Sequence, residues 1–328
     1  MSLPYLFSLA LFASAYSYLH LDVFTNETLS GNQLAVFLEP GGLTAEQMMA
    51  ITREVAFSET TFVFPSEVDG TSFRVRIFAN NLGREIEVAG HPTIGTAFAL
   101  AHAGLIAPGT ERTVFQLGIG PTPLDLTWKG GKLEFAWMRQ RPPEFGGKIE
   151  DRAAVANALG VEADAIQTTG LPVQQVSCGA PFIIVPMKSR DAIDRAQMDR
   201  AAMGELIDRY GLIRRGVMIY TSDPGEDGAT VYSRMFGFGV VEDPATGNAS
   251  GPLGSYLVRY RVVTGDGAHH IVSRQGVKMG RPSRVHIRVV TEGDTITEVA
   301  VGGSSVLVGE GTIRVQDEIS FATVRPPP

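Results

Sequence analysis

Short hydrophobic runs separated by polar and glycine-rich turns predict a chain that is rich in strands. Alternating positions in "YSYLHLDVF" (residues 16–24) predict one strand, and "GNQLAVFL" (31–38) predicts the next. A helix is predicted from Thr44 through "AEQMMAITREV". The β-branched and aromatic runs "TTFVFP" and "SFRVRIFA" predict further strands before a helix of small residues near residue 91.

The same order of elements returns in the second half of the chain. Strands, a helix, two more strands, a second small-residue helix and a final set of strands follow residue 150. Because the period is about half the chain, we expect a duplicated domain rather than an array of small repeats. The fold is predicted to be α/β (α+β), with two pseudo-symmetric halves that each hold a mostly antiparallel sheet and one central helix.

Composition places the domain boundaries. A chain of 328 residues is long for one core. Proline and glycine pairs in "RQRPPEFGGKIE" are typical of a linker. The predicted units, in chain order, are an N-terminal extension, an N-terminal domain, a linker and a C-terminal domain: residues 1–15, 16–138, 139–150 and 151–328.

The two small-residue helices begin with matching motifs. "HPTIGTA" (91–97) and "DPATGNA" (243–249) share Pro, Gly and Ala in the same order, at an offset of 152 residues. In each motif a titratable residue, His91 or Asp243, precedes the proline. This position predicts an N-cap, with the proline in the first helical position.

Two such helix starts can bind an anion. The first amides of a helix have no helical partner, and together with the helix dipole they attract negative charge. If a twofold axis relates the halves, the starts face each other across a cleft that suits a small carboxylate. The alternative is structural, because Asp-Pro and His-Pro also begin ordinary helices and small residues allow close packing.

Glu59 lies just before an apolar strand, which is an unusual place for a carboxylate. Partial burial there raises a carboxyl pKa and lets the group exchange protons near neutrality. The alternative is a solvated glutamate in a loop. Adding 152 to its number gives Gly211, so the chemistry is predicted to be asymmetric.

Charge and cysteine content exclude several classes of function. A net charge of −7 without a basic run argues against nucleic acid binding. One cysteine, Cys178, cannot form a disulfide within the chain or a cysteine-rich zinc site. The apolar run within residues 5–15 is too short to span a membrane and lacks a preceding Lys or Arg. We therefore expect a cytoplasmic protein with an N-terminal extension rather than a secretory signal.

Four separated segments resemble the phenazine-biosynthesis PhzF-like family. They are "LDVFTNETLSGNQLAVF", "FSETTFVFP", "GHPTIGTA" and "EDPATGNASGPLGSYL", and the resemblance extends from about residue 16 to the final strands. It implies a diaminopimelate epimerase-like fold, in which each domain is a curved sheet around a central helix. It further implies an active site between the domains, no cofactor or metal, and a homodimer.

The resemblance also implies residue roles. Glu59 would move a proton between carbons of a dihydroanthranilate-like carboxylate, while His91 and Asp243 would hydrogen-bond the substrate. The expected substrate-binding residues are Ser58, Gly90, Thr93, Gly95, Gly247, Asn248 and Ala249. Asn248 departs from the family, which commonly has serine there. Neither helix start carries the cysteine of the related two-base epimerases.

Three functions follow for testing. The first is an isomerase that moves a proton by general acid–base catalysis. The second is an epimerase or racemase of an amino-acid-like compound, with Asp243 or His91 as the base opposite Glu59. The third is a protein that binds a metabolite without turnover, since a fold does not fix a function.

Overall fold

The computed structural model describes residues 13–316 except 224, 226 and 227. Its helices are α1 Ala45–Val55, α2 Gly90–His102, α3 Arg152–Ala158, α4 Asp164–Gln167, α5 Arg190–Arg195, α6 Arg200–Arg209 and α7 Gly247–Arg259. Its first strands are β1 Ala13–Val23, β2 Asn32–Phe37, β3 Glu59–Pro65, β4 Phe73–Ala79, β5 Arg84–Ile86, β6 Arg112–Leu117, β7 Gly120–Lys129, β8 Lys132–Gln140 and β9 Glu144–Ile149. Its later strands are β10 Val173–Ser177, β11 Pro181–Pro186, β12 Gly216–Thr221, β13 Val231–Gly237, β14 Ala268–Gln275, β15 Ser283–Glu292, β16 Thr295–Gly303 and β17 Ser305–Gln316.

The duplication is visible in the strand pairing. In the first half β2 is parallel to β3, β3 antiparallel to β4, β4 parallel to β6, and β6, β7 and β8 follow as antiparallel neighbours. In the second half β11, β12, β13, β14, β15 and β16 repeat the same sequence of parallel and antiparallel pairs. The predicted α/β fold of two similar, mostly antiparallel halves is confirmed.

Each half encloses one central helix. Small residues such as Gly, Ala and Thr make up much of α2, and nearly all of its side chains are buried against strands of the first half. Helix α7 packs in the same way within the second half. Small side chains let the sheets approach these helices closely on several faces, which rigidly fixes where the helices begin. Among the described residues no helix has the length and apolarity needed to cross a membrane.

Two strands pair with the half of the molecule that their position in the sequence does not predict. The segment 139–150, predicted as a linker, contains the end of β8 and all of β9, and β9 pairs with β10 of the second half. Conversely β17, the last strand described, pairs with β1 of the first half. The pairing of β8 with β16 then joins the halves directly. Division into domains at residues 139–150 stays a prediction.

The first strand begins earlier than expected. Ala13, Ser14 and Ala15, which were assigned to the N-terminal extension, already pair with the last residues of β17. Residues 1–12 lie outside the described part of the chain.

Candidate active site

The two central helices meet at their first residues. Helix α2 begins at Gly90 and α7 at Gly247. A Cβ placed on Gly90 would lie 2.9 Å from the Gly247 Cα, and one on Gly247 would lie 3.1 Å from the Gly90 Cα. Only two glycines allow this approach of backbone to backbone. The helix starts therefore face each other, as the sequence predicted.

The N-cap assignments were wrong. The caps are Ala89 and Thr246, so His91 lies inside the first turn of α2 and Asp243 lies in the loop before α7. Position 90 corresponds to 247, which is an offset of 157 rather than 152. The Pro, Gly and Ala of the two sequence motifs match at an offset of 152. In the structure, however, the residue that corresponds to His91 is Asn248, because each is the second residue of its helix.

Both central helices have uncapped N-termini. No side chain caps α2 or α7, whereas hydroxyl or carboxylate side chains cap the peripheral helices α1, α3, α5 and α6. Uncapped amides at a helix start need water or a ligand as a partner. The two starts thus offer their amides and their positive dipole ends to a single cavity between the halves.

Glu59 is the first residue of β3 and reaches the same cavity. Its Oε2 lies 3.5 Å from His91 Nε2, and its side chain is 17% exposed. Burial, with a contribution from the nearby charge of Asp243, raises the pKa of Glu59 to about 7. Ser58 and Arg215 act in the opposite direction. A carboxyl with this pKa holds and releases protons at neutral pH.

The imidazole of His91 is neutral at physiological pH. Burial lowers its pKa to about 3, and a hydrogen bond with the backbone of Gln33 opposes that shift. Nε2 is buried and has no hydrogen-bond partner among the described residues. It faces Glu59, whose Oε2 lies 3.5 Å away.

Asp243 is fixed from several sides. Its carboxylate accepts hydrogen bonds from the Thr246 hydroxyl and from Asn32 Nδ2, the latter at 2.9 Å. Gln275 holds the same loop by donating to the Asp243 carbonyl oxygen at 2.7 Å. Burial raises the pKa of Asp243 to about 6, although the bonds from Thr246 and Asn32 lower it. The site thus contains two carboxyl groups that titrate near neutrality.

Asn32, at the start of β2, joins these groups. Its amide donates to Asp243 Oδ1 and, at 3.0 Å, to the Ala245 carbonyl oxygen. The same nitrogen lies 3.3 Å from His91 Nδ1. Both amide hydrogens are used by the two oxygens, so Asn32 positions the Asp243 loop beside His91. Asn32 was not among the predicted site residues, although it lies inside a segment that carries the family resemblance.

The cavity has a volume of about 410 Å³ and is lined from both halves. Six of the predicted site residues line it together with Asp243: Ser58, Glu59, Gly90, His91, Gly247 and Asn248. Three others do not line it. Thr93 donates its hydroxyl to the Ala89 carbonyl, Gly95 packs against Leu34 and Val23, and Ala249 is buried in the core of the second half.

Comparison with known proteins agrees with this geometry. Residues 21–311 match the family model described as phenazine biosynthesis-like protein. The chain belongs to this family. It is 32% identical to the trans-2,3-dihydro-3-hydroxyanthranilate isomerase of Pseudomonas aeruginosa over 298 residues, which cover 90% of this chain and 98% of the relative.

Solved structures extend the comparison to the fold. A phenazine biosynthesis protein of the PhzF family from Bacillus anthracis superposes with a TM-score of 0.83 at 27% identity, covering 92% of this chain and 99% of the other. A hydroxyproline epimerase from Agrobacterium vitis gives a TM-score of 0.63 at 13% identity, with 94% of each chain covered, and shows the shared fold alone. As a member of this PhzF-like family, the chain is an isomerase.

Proposed function

We propose that this PhzF-like isomerase moves a proton between carbons of a small cyclic carboxylate related to dihydroanthranilate. The observation that carries the proposal is the position of Glu59, 3.5 Å from His91, with a pKa of about 7 in the interdomain cavity. Ionised Glu59 takes a proton from one carbon, and the resulting carboxylic acid returns it to another. The net change is the position of a double bond.

Three groups orient the substrate for this transfer. The uncapped amides of α2 and α7 bind the carboxylate, which is the ligand that such helix starts favour. Nε2 of neutral His91 accepts a hydrogen bond from a substrate N–H or O–H. Asp243 accepts a second one and, when ionised, stabilises a substrate amine in its protonated form.

Deuterium exchange tests the role of Glu59. We expect native protein to introduce solvent deuterium into trans-2,3-dihydro-3-hydroxyanthranilate, at a rate that rises with pH through about 7 as Glu59 ionises. Glu59→Gln removes the proton carrier and should slow exchange by about 10² to 10⁴-fold. Glu54→Gln, an exposed change in α1, is the matched control. Exchange at the native rate in Glu59→Gln would refute the mechanism.

Asp243 supports a second candidate function, an epimerase or racemase. Its pKa of about 6 supplies another base in the same cavity, as a two-base epimerase or racemase requires. Product analysis separates the two reactions. An isomerase changes double-bond position, whereas an epimerase inverts one stereocentre and leaves the bonds unchanged.

The expected homodimer and cytoplasmic location belong to this proposal. The support for the homodimer is the family relationship. Light scattering after size-exclusion chromatography measures the mass directly, and a monomer at micromolar concentration would contradict the dimer. Fractionation of cells that express the full chain tests the location.

A further inference from the structure

Three arginines line the cavity with Glu59, and two of them, Arg84 and Arg215, have no role in the mechanism above and no carboxylate partner among the described residues. Arg84 is the first residue of β5, and Arg215 immediately precedes β12. Under the offset of 157 that relates the helix starts, Glu59 at the beginning of β3 corresponds to Gly216 at the beginning of β12. Arg215 then corresponds to Ser58. The strand start that presents the general base in one half therefore carries a cation one position earlier in the other half.

Neither arginine has an ion-pair partner within the described part of the chain. Their neighbours do: Arg214 pairs with Asp208, and Arg76 pairs with Glu85, the residue after Arg84. Arg215 instead places its guanidinium over the Phe182 ring, 5.7 Å from the ring centre. Because Arg84 and Arg215 line the same cavity, a ligand there meets two cations that no carboxylate of the described residues pairs with.

The two cations also repel each other. Burial and the positive charge of Arg84 lower the pKa of Arg215, while Glu59 raises it. Glu59 does not neutralise the pair, because it lies beyond ion-pair distance and its pKa is raised to about 7 rather than lowered. A ligand anion relieves this repulsion and gains charge-assisted hydrogen bonds.

We propose that Arg84 and Arg215 bind a second anionic group, so that this enzyme prefers small dianions, such as cyclic dicarboxylates, over monocarboxylates. The inference rests on the proposed function, in which the helix starts hold the first carboxylate. The Phe182 ring beside Arg215 then offers an apolar surface to the body of the ligand. Selection for a second charge would distinguish this chain from an enzyme that accepts monocarboxylates.

Calorimetric titration with four simple probes tests the proposal. Benzoate supplies one carboxylate on a planar ring, and phthalate, isophthalate and terephthalate supply two at increasing separation. We expect at least one dicarboxylate to bind about tenfold more tightly than benzoate, which corresponds to one charge-assisted contact. The preferred isomer reports the separation of the two anion sites.

Variants of the two arginines test whether these residues cause the preference for dicarboxylates. Arg84→Gln and Arg215→Gln should each reduce the dicarboxylate advantage by about threefold or more, and the double variant should remove it, with benzoate affinity changed less than about twofold. Arg209→Gln, an exposed change in the last turn of α6, is the matched control and should keep the full advantage. Both side chains are accessible to solvent, although the groups around Arg215 partly desolvate its guanidinium, so thermal melting should confirm that the variants fold.

The outcomes separate this inference from the isomerase proposal. Dicarboxylates that bind no better than benzoate, or an advantage that survives in the double variant, would overturn the role of the arginines while leaving Glu59-dependent exchange in place. An arginine-dependent preference supports the inference, even if Glu59→Gln were to exchange deuterium as the native protein does. In that case the proposed role of Glu59 would be wrong, and the dianion site would still be supported.

Discussion

The starts of α2 and α7 are alike in backbone and different in chemistry. Both begin at a glycine, lack a side-chain cap and meet at van der Waals distance. In α2 the second residue is His91, which contacts Glu59, whereas in α7 it is Asn248, and the carboxylate comes from Asp243 in the preceding loop. Duplication therefore supplied two similar uncapped helix starts, and divergence put a histidine in the first turn of one and a carboxylate in the loop before the other.

The largest effect should come from breaking the contact between the two starts. Gly90→Ala puts a methyl group 2.9 Å from the Gly247 backbone, which cannot rotate away. We expect destabilisation of about 1–3 kcal/mol by overpacking. Catalysis should fall by about 100-fold, because misplacement by about 1 Å has that effect on aligned groups. Activity and thermal melting measure the two losses.

A glycine outside the contact provides the comparison for that variant. A Cβ on Gly41 would meet no atom within 4 Å, so Gly41→Ala should leave stability and activity close to native. If Gly90→Ala matched Gly41→Ala, close approach of the helix starts would not matter for the site.

A smaller effect is expected from loosening the connection between the two sides. Asn32→Ala removes the donor that joins the Asp243 carboxylate and the Ala245 carbonyl beside His91. Because this bond lowers the Asp243 pKa, its loss should raise that pKa above about 6. Activity should fall by about tenfold, in line with one lost hydrogen bond to a charged group.

Carboxyl chemical shifts followed by NMR across pH 4–8 measure this change. The exposed Asn26→Ala serves as the control, and its Asp243 titration should match native. An unchanged Asp243 pKa in Asn32→Ala would show that Thr246 alone fixes the carboxylate.

The smallest effect should come from Asn248, the counterpart of His91. Among the described residues its side chain has one hydrogen-bond partner, the Val88 carbonyl oxygen, at the long distance of 3.5 Å. Asn248→Ser shortens the side chain at the cavity wall and should change KM by about threefold with kcat nearly unchanged, as expected for loss of uniform binding. A drop in kcat equal to the drop in kcat/KM would instead place Asn248 in the transition state.

The repeated architecture could be predicted from the sequence because short strand patterns and small-residue helices are local signals. Glu59, His91 and Asp243 were also predictable, since each is a titratable residue beside a strand or helix boundary. The register of the duplication was not. The identical residues of the two motifs favoured an offset of 152 between the halves. The contact between Gly90 and Gly247 in the structure gives an offset of 157.

Other parts of the site depend on contacts distant in sequence. Asn32 gains its role from Asp243, which lies 211 positions further along the chain, and nothing near Asn32 indicates that pairing. Thr93 and Gly95 follow His91 closely, but the turn of the helix points them toward the core. The β9 segment was predicted as a linker because it is rich in proline and glycine, and its sequence gives no sign that it pairs with β10.

The pairing of β1 with β17 has a consequence for biosynthesis. Ala13 lies opposite Gln316, so β1 is synthesised long before the strand that pairs with its outer edge. Contacts between residues so far apart in sequence form slowly, because the chain loses the entropy of closing a long loop before the pairing stabilises the sheet. Until then the outer edge of β1 is open to other chains, and pairing with β17 removes this risk of aggregation.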